Sequence, residues 1–429
     1  NKTINIDENN QKIPIITISR KAGNNISFSS DGNIIYWSLG PNLYQQSIKE
    51  AASLNDSQIT STYISFKHKS DASHGIIALV GAKIITMEGD EVITNGVVII
   101  ENNHIKAVGK NNEVTIPDHA KIIDVAGKTI IPGIIDTHAH GAQGDNEIIP
   151  QQNWNTYATM AFGVTTIFNP NTKTSEIFAA SEMQKAGHIV SPRIFSTGMS
   201  LYGAYEPGHT AIVNSLEDAK FHIERLNAVG AFAIKMHHHP RREQYQQIIS
   251  AARELKTMVL SEGGALLQQD LGKIADGASS IEHSMALSKV YSDVKQFWSA
   301  SETAYMPTLV VSFGGISGEH YWYDKTEVWK HPILSKFVPQ DVLAPRSMRR
   351  FTAPLHHYNH FSIAKVVTEM YDLDVIIGAG GHGQREGLGV HWAMWMMAQG
   401  GMTPHEALKS ATIRPAKHLG LDNNIGSIK

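Results

Sequence analysis

The pattern of apolar and polar positions divides the chain into three long stretches and a short tail. Over residues 1–70, short apolar runs alternate with polar turns. The segment "ISFSSDGNIIYWSLGPNLYQQSI" breaks at Ser30-Asp31-Gly32 and again at Leu39-Gly40-Pro41, which predicts short strands joined by tight turns. Residues 71–133 stay β-like. The runs "GIIALVGAKIITM", "EVITNGVVIIENNHIKAVG" and "KIIDVAGKTIIPG" are divided at Asn95-Gly96, Asn102-Asn103 and Ala126-Gly127, and they predict a small β-sandwich domain. From residue 134 to 415 the period changes. Eight apolar strand candidates, Gly133–Asp136, Val164–Asn169, Arg193–Ser196, Ala231–Lys235, Met258–Ser261, Ser280–Glu282, Thr303–Pro307 and Asp374–Gly378, are separated by helical periodicity. The stretches "SLEDAKFHIERLNAVG" and "REQYQQIISAARELK" read as amphipathic helices, the first capped by Ser215 with Glu217 and Asp218 in its opening turn.

Strands alternating with helices imply a parallel sheet, and eight such units are the number in a (β/α)8 barrel. The expected fold class is therefore α/β, a distorted TIM barrel with a small β-sandwich domain. A doubly wound open sheet is the alternative, but no GxGxxG follows the first strand. Residues 416–429 are expected to turn back towards the sandwich, where the sequence stops abruptly after a turn.

Composition narrows the chemistry. Hydrophobic residues make up 42% and charged residues 18% of the chain, enough apolar material for a large core and against global disorder. The net charge of −3, with no basic run, gives no electrostatic case for nucleic acid or an anionic membrane surface. No apolar run approaches the roughly 18–20 residues needed to cross a bilayer. The absence of cysteine excludes disulfides, thiolate catalysis and Cys-type zinc sites, and fits a periplasmic or secreted location with any signal upstream of residue 1. The 22 histidines gather at 137–140, 237–239, 356–360 and 382–391, and histidine is the commonest metal ligand.

In a barrel the chemistry sits where strands end at their C-terminal face. The first strand ends in "DTHAHG", where His138 and His140 stand two residues apart and face one side of an extended segment. The fourth ends at Lys235, an ammonium that burial makes costly unless it is paired or modified. The fifth ends in Glu262 and the sixth in Glu282 and His283, while the eighth runs into "GAGGHGQREGLGVHW", with His382, Arg385, Glu386 and His391. Imidazoles and carboxylates converging on one mouth suit Zn²⁺ or a similar divalent ion. "HHHP" at 237–240 reads differently, because consecutive side chains diverge and Pro240 opens a helix; only His237, nearest the strand end, is placed at the pocket. The aromatic-rich insertion from Phe313 to Phe361 reads as a lid, a substrate wall or a plain surface excursion. Met394, Trp395, Met396 and Met397 read as helix core.

At these residues the chain resembles the amidohydrolase superfamily. The likeness runs through "GKTIIPGIIDTHAHG", Lys235, His283 and the closing "MTPHEALKSATIRPAKHLGLDNNIGSIK", and the imidazolonepropionase-like and prolidase-like branch is the nearest. The stretches "KMHHHPRREQYQQIISAARE", "SEGGAL", "PTLVVSFGG" and "GHGQREGLGVHWAMW" resemble the subgroup carried behind a Tol-type β-propeller, and residues 1–70 read equally as the end of a propeller or as a strand extension of the next domain. The resemblance implies a metal set of His138, His140, Lys235 and His283, with Lys235 often carboxylated and bridging two metals in the family. Two positions depart from it. Glu262 stands where the family has a strand-five His. "AGGHGQ" stands where it has a strand-eight Asp that binds metal and accepts a proton.

Glu262 and His382 are accordingly the candidate catalytic groups, and both join the candidate ligand set. Tyr202, His237 and Arg385 are candidate substrate contacts. The cofactor expected is one or two divalent ions, zinc first. The function expected is hydrolysis of an amide-like C–N bond, in a cyclic amide, an N-acyl amino acid or a dipeptide, by metal-activated water. A catalytically weak or inactive binding module on the same fold is the alternative. A small molecule is the expected partner, and self-association is left open.

Overall fold

The computed structural model of the chain describes residues 18–19, 21–51, 59–203, 211–264, 266–285, 287–348 and 352–429. The expected β segment 1–70 therefore lies partly outside the described residues, at 1–17, 20 and 52–58. What is described of it forms a four-stranded antiparallel sheet in the order β1 (Asn24–Phe28), β2 (Ile34–Leu39), β3 (Asn42–Ser47) and β4 (Thr60–Tyr63). Within the expected sandwich unit, β5 (Ile76–Ile85), β6 (Val92–Glu101), β7 (His104–Lys110), β8 (Lys121–Asp124) and β9 (Thr129–Ile130) make one five-stranded mixed sheet. Ile428 returns to this sheet, donates its N–H to Thr86 O at 2.8 Å and packs with Ala82, Ile84, Ile93 and Val98.

The remaining strands are parallel and run in chain order. β10 (Ile134–Asp136), β11 (Val164–Asn169) and β12 (Arg193–Ser196) form one sheet. β13 (Ala233–Met236), β14 (Met258–Glu262), β15 (Ser280–Glu282) and β16 (Ala304–Met306) form another. Backbone bonds join the two. Phe232 N–H donates to Ser196 O, and Leu201 bridges Met236 in parallel. On the far side, the segment Ile376–Ala379 links β16 to β10: Tyr305 N–H donates to Ile376 O, Gly378 N–H to Tyr305 O, and Thr137 N–H to Ala379 O at 3.1 Å. The ring is closed in chain order, as the sequence pattern predicts, and the open-sheet alternative falls. The eighth strand expected over Asp374–Gly378 is reduced to a bridge at Ile377, because this segment turns into a glycine-rich loop.

Alternation explains the two cores. Ile134, Ile167, Ile234 and Val259 belong to the large cluster shared with helix residues such as Ile223, Ile248 and Ile274. Their chain neighbours Ile135, Phe168, Ala233 and Leu260 form a separate cluster, joined by Ala416 and Leu419. A strand sends successive side chains to opposite faces, so the second set fills the barrel interior. Lys235 and Glu262, two residues beyond Ala233 and Leu260, therefore project inward too. The helices form for local reasons as well. Ser215 Oγ accepts Asp218 N–H at 3.1 Å at the start of Leu216–Ala228, and Thr403 with Glu406 makes a capping box for Pro404–Lys409.

The helix Leu388–Gln399 buries Met394, Met396 and Met397 as expected, but Trp395 is 46% exposed and is not core. Its opening turn lies against the loop that precedes it: a Cβ at Gly389 would run into the backbone oxygen of Gln384 and lie 2.9 Å from Gly381 O. Gly389→Ala thus sets a helix-propensity gain of about 1 kcal/mol against overpacking on rigid backbone of about 1–3 kcal/mol. The expected net outcome is destabilisation, read as a lowered urea midpoint with an unchanged m-value.

Candidate metal centre

Four imidazoles meet at the barrel mouth. His138 and His140 follow β10, His283 follows β15, and His382 follows the bridge at Ile377. His138 Nε2 lies 3.2 Å from His140 Nε2. Ring centroids are 4.7 Å apart for His138 and His283, 5.1 Å for His138 and His382, 4.7 Å for His140 and His382, and 5.1 Å for His283 and His382. One ligand nitrogen from each of His138, His283 and His382 falls within 4.8 Å of the others. Two nitrogens each 2.0–2.1 Å from a tetrahedral Zn²⁺ would stand roughly 3.3 Å apart, close to the His138–His140 spacing. The donor set fits a divalent ion.

Two of these histidines adopt the left-handed backbone region, His283 at φ 71° and His382 at φ 53°, as does Thr308 at φ 40°. Such conformations cost non-glycine residues about 1–3 kcal/mol each and persist where their surroundings enforce them. The enforcement is visible. His283 Nδ1 bonds Thr308 Oγ1 at 2.8 Å, and His382 N–H donates to His138 O at 2.6 Å. Asp136 Oδ1 accepts the N–H groups of His138, at 3.1 Å, and of Gly381, at 2.9 Å.

Behind His138 stands Glu282, a group the sequence reading noted at the end of the sixth strand but gave no role. Its Oε2 lies 2.6 Å from His138 Nδ1, and its Oε1 accepts from Ser280 Oγ at 2.6 Å. All three are buried. This fixes the ring and leaves Nε2 facing the other imidazoles, the arrangement by which an outer carboxylate orients a ligating histidine. A signal was present: Glu282 is a charged residue inside a strand otherwise fully buried, two positions from Ser280 on the same face.

Electrostatics suit ligation. Burial is the largest cause holding all four imidazoles below the ordinary histidine range, His140 and His283 to about 4 and His382 to about 2. They are neutral and offer lone pairs. Burial also pushes Asp136 up to about 6 and Glu282 up to about 7. Glu262 goes the other way. Burial acts to raise its pKa, but Lys235 first, then His283 and His237, outweigh that and keep the carboxyl ionised. Lys235 Nζ lies 2.7 Å from Glu262 Oε2, His283 Nε2 lies 3.3 Å from Oε1, and His237 Nε2 lies 3.7 Å from Oε2. Lys235 and Glu262 thus pair directly, with Glu262 also against His283.

The Tyr202 ring lies tilted against that of His237, with centroids 4.6 Å apart, and His237 in turn stands 3.7 Å from Glu262. Arg385 is fully buried, and its Nε donates to Tyr323 Oη at 3.0 Å. Glu386 pairs with Arg346 at 2.7 Å. His391 bonds Phe162 O, and His239 bonds Leu201 O. These four side chains are taken up by Tyr323, Arg346, Phe162 and Leu201 respectively. In the insertion, His360 bonds Gln399 and is buried, while His356 and His357 are exposed. Trp322, in the helix Glu319–Lys325, stacks on Trp392 at 6.0 Å. The insertion therefore packs on the barrel through this aromatic seam.

The departure at strand eight has a steric reason. A Cβ at Gly380 would lie 2.7 Å from His138 Cβ, and one at Gly381 2.7 Å from Asp136 Oδ2. No side chain fits at either position, and the loop delivers His382 instead.

Residues 371–429 match the model of the Amidohydrolase family. Among curated proteins, a 62-residue stretch is 40% identical to the 5-methylthioadenosine/S-adenosylhomocysteine deaminase of Bacillus anthracis. That stretch spans 14% of this chain and 14% of the relative. Among solved structures, a Xaa-Pro dipeptidase with methionine bound in its active site aligns with a TM-score of 0.63 at 20% identity, over 83% of this chain and 91% of that one. Phenylurea hydrolase B aligns with a TM-score of 0.62 at 16% identity, over 83% of this chain and 89% of that one. These two establish likeness of fold.

Two outcomes are expected of the centre. Protons compete with the metal for these nitrogens, and burial holds the imidazoles below the ordinary histidine range, so bound metal, measured by elemental analysis after dialysis at stepped pH, should be retained to lower pH than in the Glu282→Gln variant. Glu282→Gln should weaken metal binding by about 10–100-fold, measured by competition with a chromophoric chelator.

Proposed function

We propose that this chain, a member of the amidohydrolase superfamily by its C-terminal sequence and its fold, hydrolyses a carbon–nitrogen bond in an amide-like small molecule. The observation that carries the reading is the meeting of His138, His140, His283 and His382 beside the Lys235–Glu262 pair. The four imidazoles would hold a divalent ion, with Zn²⁺ first among those suited to nitrogen donors. Such an ion supplies Lewis acidity, polarising a carbonyl and bringing the pKa of water to about 7.

The protein's own part is positioning and proton transfer. Glu262 Oε1, 3.3 Å from His283 Nε2, is the carboxylate oxygen facing the imidazoles. It takes the proton of the attacking water as the oxygen joins the carbonyl carbon. The protonated carboxyl then gives that proton to the leaving nitrogen as the C–N bond breaks. Lys235 neutralises Glu262 between turnovers. His237, 3.7 Å from this carboxylate, and Tyr202, whose ring lies against His237, are the proposed substrate contacts. His382 ligates. The relatives named above act, by name, on 5-methylthioadenosine and S-adenosylhomocysteine, on an Xaa-Pro dipeptide and on a phenylurea; a cyclic amide, an N-acyl amino acid or a dipeptide is the substrate class proposed for this chain.

Stripping the protein with a chelator should abolish turnover across a panel of these compounds, and Zn²⁺, Mn²⁺ or Co²⁺ should restore it. Turnover that survives full removal would overturn the reading. With a substrate in hand, Glu262→Gln should lower kcat by about 10²–10⁴-fold with a smaller change in KM.

A further inference from the structure

We infer that Lys273 and Asp270 form a buried strut that sets the position of Glu262 at the metal centre. The inference rests on the reading of Glu262 as a working group there.

Both residues lie on the helix Leu267–Asp276 and both are 1% exposed. Their mutual contact is loose, with Lys273 Nζ 3.4 Å from Asp270 Oδ1. Their contacts with the β14 exit are tighter. Lys273 Nζ donates to the main-chain oxygen of Glu262 at 2.6 Å, and Asp270 Oδ2 accepts Gly264 N–H at 2.9 Å. The pair thus grips the carbonyl before Gly263 and the amide after it. The Tyr245 ring lies 4.9 Å from the same ammonium.

A buried ion pair is weak evidence for stability, since apolar residues of similar volume often do as well. Here its bonds go to one short stretch of backbone, and that stretch has no side chain of its own to hold it. Gly263 has no room for one, since a Cβ would lie 2.5 Å from Ile281 Cγ2 and 2.7 Å from Glu282 O. Gly264 sits at φ 86°, where glycine is the residue with least strain. Two consecutive glycines leave the chain free to swivel as it leaves β14, and the strut removes that freedom. Glu262 must meet Lys235 at 2.7 Å and His283 at 3.3 Å, and a misplacement of about 1 Å at such a site is costly. Lys273 and Asp270 are positioning residues: they touch the backbone that carries the carboxylate.

The test uses the full chain loaded with Co²⁺, whose visible spectrum reports its ligand field. Lys273→Met should shift that spectrum in the same direction as Glu262→Gln and weaken Co²⁺ binding about tenfold. Lys273→Arg, which keeps a cationic donor, should restore both towards the unsubstituted protein, a rescue that lost packing alone would not predict. If Lys273→Met does not fold, Lys273→Gln gives the same readouts. A folded Lys273→Met or Lys273→Gln with unaltered spectrum and affinity, while Glu262→Gln shifts both, overturns the strut and leaves the role of Glu262 standing. If Glu262→Gln leaves the spectrum, the affinity and kcat all unchanged, the reading of Glu262 as a working group at the centre fails, and the inference fails with it.

Discussion

The candidate site depends on the closure of the barrel between its first and last strands. That seam is held by few bonds, and each does double duty. Thr137 gives both its N–H and its hydroxyl to Ala379 O, which joins the strands. Asp136 receives one N–H from each side, His138 and Gly381. His382 N–H closes the last link on His138 O. The bonds that shut the ring are therefore the bonds that aim two of the four imidazoles. Asp136 lies wholly inside, and burial raises its pKa, so the free energy that keeps it ionised comes from those two amides.

Around the seam, charge is arranged in shells of opposite tendency. The imidazoles are kept neutral by burial. Glu282 behind them is pushed towards protonation, and Glu262 beside them is kept ionised by Lys235. Two carboxylates from adjacent strands, paired residue for residue in the β14–β15 register, thus end with opposite shifts: burial wins at Glu282, while at Glu262 the Lys235 ammonium 2.7 Å away helps to outweigh it. Environments that drive two carboxyl groups apart are the usual means of giving them separate tasks.

Much of this was legible in the sequence. Strand-ending polar residues after apolar runs located His138, His140, Lys235, Glu262 and His283, because alternation and barrel geometry leave a strand-end polar group one place to go. His382 was legible as the nearest group able to replace a missing carboxylate. What stayed hidden was what depends on packing between distant segments. Glu282 sits next to a named residue, yet its role follows from a contact 144 positions away in sequence. Arg385 and Glu386 share the loop of His382 but turn to Tyr323 and Arg346, a choice made by the helices of the long insertion. Lys273 and Asp270 left a faint mark, as charges three apart on the buried face of an amphipathic helix.

The glycines at 380 and 381 set the width of the seam. A Cβ at either would press on His138 or Asp136, so an acidic side chain introduced at this strand end would have to part the segments that hold two of the imidazoles. The seam works as a gauge: it admits a hydrogen and no more, and whatever donor the eighth segment offers has to come from the loop beyond it.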